Sequence, residues 1–281
     1  MDVTARSFVG APLIALDVDG TILHHDGHLS DQVRDAVRAL AATPAQVMIA
    51  TGRSVLATLP VLQDLDLLVD GSYAVCSNGA VTVVVDSAAA DGFRVHDVVT
   101  FDPRPAVELV QQALPGVLIA VEEVGRGFKV NELFPEPELS GEQRAVSAAE
   151  LVSTPATRVT VRDLSATPEE FAEVVERIGL HGVNYAIGFS AWLDLAPEGV
   201  SKASALEHLR RVLRVEPSDT VAVGDQRNDL EMLHWAAWGV AMGQAPQDVV
   251  DAADSSTGTV EEDGLAAVLD EVLATVRLGR S

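Results

Sequence analysis

Asp17 and Asp19 are two carboxylates separated by one residue, at the end of the apolar run PLIAL (12–16). Residues i and i+2 of a strand share a face, about 6–7 Å apart, so these side chains can converge where the strand ends. Two unpaired carboxylates there would repel each other until one took up a proton. A divalent cation removes that repulsion, and oxygen ligands with loose geometry suit magnesium. The pair indicates a Mg²⁺ site, with a plain turn at Asp19-Gly20 as the alternative.

Thr51-Gly52-Arg53 follows a second apolar run, AQVMIA (45–50), without a gap. A hydroxyl group together with free backbone N–H groups at the entrance to a helix forms a cradle for an anion. The alternative is an ordinary turn in which Gly52 supplies an unusual backbone dihedral angle.

Lys202 occupies the first turn of a helix predicted over 201–213, with Ser201 as its N-cap. A lysine beside the positive end of a helix dipole is unfavourable by up to about 1 kcal/mol. An anion held by both the lysine and the helix would reverse that sign. The alternative is an exposed surface lysine.

The segment GDQRND (224–229) follows the apolar run TVAVG (220–224). Ordinary N-capping accounts for Asn228 and Asp229, but it leaves Asp225 at the strand end unexplained. The polar groups described so far all lie at strand ends or helix starts. Open α/β sheets bind ligands at the carboxyl ends of their strands, so these groups predict one shared site.

Buried strands that alternate with helices position these groups and predict a mostly parallel sheet with helices on both faces. Pro60 is expected to interrupt one of the helices, 54–65. The predicted strands are 12–16, 45–50, 73–77, 220–224 and 239–242, and the predicted helices are a segment opening at Ser30, 54–65, 201–213, 228–238 and 264–276.

Residues 87–190 follow a different pattern, with paired strands and two helices, and predict an α+β insert with an antiparallel sheet. The α/β core would then comprise 1–86 and 191–281. Within the insert, the predicted strands are 93–101, 117–124, 128–133 and 157–164, the predicted helices are 102–114 and 167–179, and 135–143 is a predicted loop.

Composition limits the function classes. The net charge is −23 over 281 residues, which argues against nucleic acid and anionic membranes as partners. An anionic substrate would therefore need a local cationic group. We find no apolar run long enough to cross a bilayer and no pattern of a signal peptide. Cys76 is the single cysteine, which rules out an internal disulfide and favours a cytoplasmic location.

Four segments together resemble the motifs of the haloacid dehalogenase (HAD) superfamily of phosphohydrolases: LDVDGT (16–21), ATGR (50–53), GVSK (199–202) and GDQRNDLEML (224–233). SNGA (77–80) and an insert between the second and third motifs are similar to the Cof-type branch, whose members dephosphorylate sugar phosphates and related small metabolites. The resemblance covers nearly the whole chain. It implies a Rossmann-like parallel-sheet core, of class α/β, with an inserted α+β (class IIB) cap domain.

The resemblance also implies roles for the paired carboxylates and their neighbours. Asp17 would be the nucleophile and form an aspartyl-phosphate. Asp19 would protonate the leaving alcohol and then activate water. Mg²⁺ would be held by the Asp17 carboxylate, the Asp19 backbone carbonyl and Asp225. Asp229 would orient Lys202 or a metal-bound water.

Phosphate oxygens would be bound by Thr51, the Gly52 N–H, Lys202 and Asn228. Two further residues have two interpretations each. Arg53 contacts substrate or pairs with an acid, and Asn78 binds the leaving group or caps a turn.

These observations predict a Mg²⁺-dependent phosphatase whose partner is a small phosphorylated metabolite, most simply a sugar phosphate. Two alternatives stay open: a phosphomutase of the same fold, and a catalytically silent metabolite-binding protein. The sequence leaves the physiological substrate open, and also the choice between monomer and dimer.

Overall fold

Three sheets and the helices around them make up the computed structural model, which describes residues 8–187 and 191–278. The strands are β1 (Leu13–Leu16), β2 (Gln46–Ile49), β3 (Tyr73–Cys76), β4 (Val81–Val85), β5 (Phe93–Val98), β6 (Leu118–Glu123), β7 (Gly127–Val130), β8 (Glu142–Ala145), β9 (Val159–Arg162), β10 (Val183–Ile187), β11 (Trp192–Pro197), β12 (Thr220–Gly224), β13 (Trp238–Ala241) and β14 (Ser255–Ser256). The helices are α1 (Asp31–Ala41), α2 (Val55–Asp64), α3 (Arg104–Ala113), α4 (Ala148–Leu151), α5 (Pro168–Ile178), α6 (Lys202–Leu213), α7 (Leu230–Trp235), α8 (Gln247–Ala252) and α9 (Gly264–Leu278).

The central sheet is parallel, with strand order β14-β13-β12-β1-β2. Every residue of β1 and β12 is buried, as expected for strands covered on both faces. Leu16 lies beside Val223 on one side and Ile49 on the other. This register brings the residues after β1, β2 and β12 to one edge of the sheet, and the predicted α/β core is confirmed.

Alternating residues of β1 face two different helical layers. Ile14 and Leu16 pack in one apolar cluster with residues of α1 and α9. Leu13 and Ala15 pack in another with residues of α6 and α7. The period of two along a strand thus divides the core into two layers, one on each face.

Two predicted N-caps are confirmed. The Ser30 hydroxyl accepts a hydrogen bond from the Val33 N–H at 3.1 Å, and the Ser201 hydroxyl accepts one from the Ser204 N–H at 3.3 Å. Helix α2 continues through Pro60 to Asp64, so the expected interruption does not occur. Pro60 is exposed on the solvent side of α2, where water can satisfy the carbonyl group that it leaves without a partner.

The insert contains a six-stranded sheet of order β10-β11-β9-β6-β7-β8, and α3 and α5 pack together over it. The sheet is antiparallel except where β7 and β8 run parallel. Residues 142–145 form β8, so the last two residues of the loop predicted over 135–143 belong to a strand. Strand β7 pairs with them, and that non-local pairing has no periodic signal in the sequence.

A separate antiparallel sheet, β3-β4-β5, adjoins the core, and a single parallel bridge between Ala50 and Val75 connects it to β2. The predicted limit at residue 87 separates β4 from β5, which are paired. The predicted limit at 190 likewise separates β10 from β11. The two limits separate paired strands because sequence patterns identify strands without identifying the strands with which they pair. As domain boundaries they stay predictions. Within the described ranges, no helix combines the length and apolarity needed to cross a membrane.

Candidate active site

Lys202 lies between two carboxylates at the edge of the central sheet. Its Nζ donates hydrogen bonds to Asp17 Oδ1 at 2.5 Å and to Asp229 Oδ1 at 2.6 Å. Lys202 is 1% exposed, so its interpretation as a surface lysine is wrong. The chain brings β1, the start of α6 and the loop before α7 together at this ammonium group.

Burial and the neighbouring charges shift the pKa values of Lys202 and Asp17. Burial of Lys202 disfavours its charged form, but Asp17 and Asp229 outweigh that effect and raise its pKa. Burial and the neighbouring Asp229 raise the pKa of Asp17 well above its usual value, and Lys202 opposes them. The site therefore contains more negative charge than one lysine compensates.

Asp229 organises the loop between β12 and α7. Its Oδ2 accepts hydrogen bonds from the backbone N–H groups of Asp225 at 3.0 Å and Gln226 at 2.9 Å. A Cβ on Gly224 would lie 2.5 Å from the Asp229 Cγ, so glycine permits this close approach. Both oxygens of Asp229 are occupied, one by Lys202 and one by the loop.

The carboxylates of Asp17, Asp225 and Asp229 each place one oxygen within 4.8 Å of the others. Asp225 Oδ1 is buried and has no hydrogen-bond partner among the described residues. Burial raises the pKa of Asp225 to about 6. Because the oxygens of Asp229 are already bonded, Asp17 and Asp225 are the carboxylates free to bind an ion. This hard-oxygen set fits a divalent cation.

Gly20 brings the turn after β1 against Asp225. Its φ is +83°, and an added Cβ would lie 2.2 Å from Asp225 Oδ2. Gln244, from the loop after β13, donates to the Gly20 carbonyl at 2.6 Å. Gln226 donates to Asp225 Oδ2 at 2.8 Å. The second oxygen of Asp225 is thereby held, which leaves Oδ1 as its available ligand atom.

Arg53 pairs with Asp19 through two parallel hydrogen bonds, Nε to Oδ2 at 2.9 Å and Nη2 to Oδ1 at 2.5 Å. Of the two predicted contacts of Arg53, with substrate or with an acid, the structure shows the one with an acid. The Asp19 side chain is 60% exposed and points into the cleft, unlike the buried Asp17. The two carboxylates of the first motif therefore occupy different environments.

The loops after β2 and β3 are joined by backbone hydrogen bonds, from the Ser77 N–H to the Arg53 carbonyl and from the Asn78 N–H to the Thr51 carbonyl. The Asn78 side chain accepts from Asn228 Nδ2 at 3.0 Å. Asn78 therefore links two segments predicted to bind phosphate. Thr51 is buried, and its hydroxyl accepts from the Arg53 N–H at 3.1 Å.

We call the group formed by Asp17, Asp19, Lys202, Asp225 and Asp229, together with the loops after β2 and β3, the floor. A cleft of about 1320 Å³ opens between the floor and the six-stranded sheet. The predicted residues that line it are Asp17, Asp19, Gly52, Arg53, Asn78, Lys202 and Asn228. Its opposite wall comes from the insert and includes Phe128, Glu138, Arg158, Glu169, Glu176, Tyr185, Trp192 and Asp194.

Sequence reasoning missed three residues at the site: Arg158, Gln226 and Gln244. Gln226 lies inside a recognised motif, so its position was the available signal. Arg158 lies within the predicted strand 157–164, which carries polar and charged residues at several positions, so its sequence context gives no distinct signal. Gln244 has no signal that we can identify.

A buried lysine between carboxylates, beside a free carboxylate oxygen and the start of a helix, suits transfer of a phosphoryl group, in which positioning and charge compensation dominate catalysis. The class defined by this fold and site is that of phosphoric monoester hydrolases. The family model for haloacid dehalogenase-like hydrolase matches residues 14–269. The chain belongs to that family, in its Cof-type branch, and is a phosphoric monoester hydrolase.

Several relatives match along almost their whole length. Phosphatase YwpJ of Bacillus subtilis (strain 168) is 26% identical, with 93% of this chain and 99% of the relative covered. The 5-amino-6-(5-phospho-D-ribitylamino)uracil phosphatase YitU of the same organism is 26% identical, with 92% and 96% covered. Among solved structures, the HAD subclass IIB sugar phosphatase BT4131 has a TM-score of 0.76 at 25% identity, with 93% and 99% covered.

Proposed function

We propose that this protein is a Mg²⁺-dependent phosphatase that hydrolyses small phosphorylated metabolites, in particular sugar phosphates, through an aspartyl-phosphate. The observation that carries the proposal is Lys202 Nζ, bonded to both Asp17 and Asp229 next to the unpartnered Oδ1 of Asp225. The names of YitU and BT4131, a phosphatase of a ribityl phosphate and a sugar phosphatase, support the substrate class.

In the first step an Asp17 oxygen bonds to phosphorus while the bond from phosphorus to the leaving oxygen breaks. Asp19 gives a proton to that leaving oxygen. In the second step water loses a proton to Asp19 and attacks the aspartyl-phosphate, which releases phosphate and regenerates Asp17. Lys202 compensates the charge of the free Asp17 carboxylate before the attack, because its Nζ lies 2.5 Å from Oδ1.

Arg53 prepares Asp19 for the second step. Its two hydrogen bonds orient the Asp19 carboxylate, which accepts a proton from water in that step. To act as an acid in the first step, Asp19 must leave Arg53 when the substrate enters.

Thr51, Gly52 and Asn228 would bind the phosphate oxygens. Gly52 and Asn228 line the cleft, whereas the Thr51 hydroxyl is bonded inside its own loop. Asn78 donates its N–H to the Thr51 carbonyl and accepts from Asn228, so it would hold the Thr51–Gly52 loop and Asn228 at a fixed separation.

A bound Mg²⁺ would be held by Asp17, Asp225 and the Asp19 carbonyl, and would supply neutralisation of charge on the phosphoryl group. The cluster of acidic oxygens at the floor supports a divalent cation as cofactor. The localisation in cytoplasm stays a prediction from the single cysteine.

Phosphate release from a panel of sugar phosphates, with and without Mg²⁺, tests this function. The expected result is release that requires Mg²⁺ and is fastest with sugar phosphates. Interconversion of sugar phosphates without net release would instead identify a mutase. Binding without any turnover would identify a silent metabolite-binding protein.

A further inference from the structure

A buried charged pair connects the cap side of the cleft to the floor. Glu122 lies near the end of β6 and Arg158 immediately precedes β9, so both belong to the insert. Their side chains are 2% and 7% exposed. We call Glu122 and Arg158 together the clamp.

The clamp contacts both loops that form the phosphate side of the floor. Arg158 Nη1 donates to the Gly52 carbonyl at 2.5 Å. Glu122 Oε2 accepts from the Ser77 hydroxyl at 2.7 Å and from Thr157 Oγ1 at 3.0 Å. Each cap residue thus contacts a different core loop, one after β2 and one after β3.

The loops after β2 and β3 are joined by a backbone hydrogen bond, and the loop after β3 contains two residues in an unfavourable backbone conformation. Ser77 and Asn78 have φ of +50° and +53°, in the left-handed region that costs energy for residues other than glycine. The Ser77 N–H donates to the Arg53 carbonyl at 2.8 Å. A contact that fixes Ser77 therefore also fixes the Gly52 loop and the orientation of Asn78.

Stability does not account for the clamp. Glu122 Oε2 and Arg158 Nε are 3.7 Å apart, and Glu122 Oε1 and Arg158 Nε are both buried without a hydrogen-bond partner among the described residues. A buried ion pair with incomplete hydrogen bonding gains less than it loses by desolvation. An apolar pair of similar volume would avoid that desolvation, at the cost of one hydrogen-bond partner each for the Ser77 and Thr157 hydroxyls and the Gly52 carbonyl.

We propose that Glu122 and Arg158 are positioning residues that hold the Gly52 and Asn78 loops in the geometry that receives the phosphoryl group. The role rests on the phosphatase function proposed above. Because the clamp acts on the phosphate side of the substrate, removing it should slow every substrate by the same factor, whatever its leaving group.

Turnover of a sugar phosphate and of p-nitrophenyl phosphate by Arg158→Met and by the double variant Glu122→Leu/Arg158→Met tests this role. We expect kcat to fall by about tenfold to a hundredfold with little change in KM, equally for both substrates. The double variant should keep the midpoint of urea unfolding of the wild type and still show the loss. Arg144→Met, which removes a partly exposed cap cation paired with Glu150 and Glu123, is the control and should retain full activity.

Hydrogen exchange separates this role from the phosphatase function, because it needs no turnover. In Arg158→Met, the amides of Thr51, Ser77 and Asn78 should exchange faster, while those of β1 stay unchanged. Unchanged exchange would overturn the clamp even in an active enzyme. A loss confined to the sugar phosphate would also overturn it, since Arg158 would then contact the leaving group. Absent turnover in the wild type would count against the phosphatase function alone.

Discussion

The floor and the wall of the cleft differ in how their charges are compensated. At the floor, Lys202 contacts two carboxylates, and Asp229 has both oxygens bonded. On the wall, Glu169 and Glu176 line the cleft, are exposed, and have no ion pair within the described ranges. We therefore expect the floor to serve any phosphate monoester and the wall to determine which leaving groups fit beside it.

Asp17→Asn gives the largest effect expected at the floor. The amide keeps the size of the carboxylate but cannot form the aspartyl-phosphate, so phosphate release should fall by about 10⁴-fold or more. Steady-state release of phosphate measures this effect. The control is Asp248→Asn, which removes an exposed carboxylate paired with Arg227. Activity within tenfold of the wild type would contradict the role of Asp17 as nucleophile.

Lys202→Met tests charge compensation at the floor through stability. It leaves Asp17 and Asp229 buried without their cation, which should cost about 3–5 kcal/mol of unfolding free energy. Urea unfolding at pH 7.5 with EDTA measures the change. Arg210→Met, which removes a partly exposed cation on the same helix, should cost far less. Equal losses in the two variants would show that the floor charges are not coupled as the distances indicate.

The wall should discriminate by charge. With four carboxylates and only Arg158 as a cation among the charged wall residues of the described chain, a second anionic group on the substrate meets repulsion. A hexose bisphosphate should show kcat/KM lower than the monophosphate by roughly fivefold, since one charge at about 4 Å in a water-like medium contributes about 1 kcal/mol.

Glu169→Gln and Glu176→Gln should each narrow that ratio between monophosphate and bisphosphate, most clearly at low salt. Glu132→Gln changes an exposed cap carboxylate outside the cleft and is the control. If this control narrows the ratio equally, the net charge of the protein and not the wall sets the preference.

The difference between the floor and the wall also explains which features of the site the sequence could predict. Asp17, Thr51 and Asp225 each follow a strand of the central sheet, and parallel register forces such positions to one edge of the sheet. Local pattern therefore sufficed to group the floor residues. The wall depends on which strands pair across long separations, such as β9 with β11, and that choice has no local signal. The contact of Arg158 with the floor could not be predicted for this reason.

The geometry of the charged floor was also beyond sequence reasoning. The motif order predicted that Lys202 and Asp229 belong to one site, but not that Asp229 holds the loop amides of Asp225 and Gln226. Likewise, the pairing of Arg53 with Asp19 was one of two interpretations, since a guanidinium can reach either an acid or a substrate phosphate.

The smallest effect expected concerns Cys76, at the end of β3 and next to the Ser77–Gly79 turn. The thiol is fully buried, and burial raises its pKa to about 12. At pH 8 only about one thiol in 10⁴ would be ionised, so iodoacetamide should leave the native protein unmodified over hours. The same reagent should modify it rapidly in urea, as intact mass would record.

The labelling rate of Cys76 also tests whether changes in the wall and changes in the clamp affect the floor differently. If the floor is as closed as its bonded charges indicate, the labelling rate should stay low when the wall is changed by Glu176→Gln. It should rise in Arg158→Met, because the clamp contacts the loop that begins one residue after Cys76. Fast labelling of the unmodified protein would mean that the floor opens readily, and the distinction between a fixed floor and a selective wall would fail.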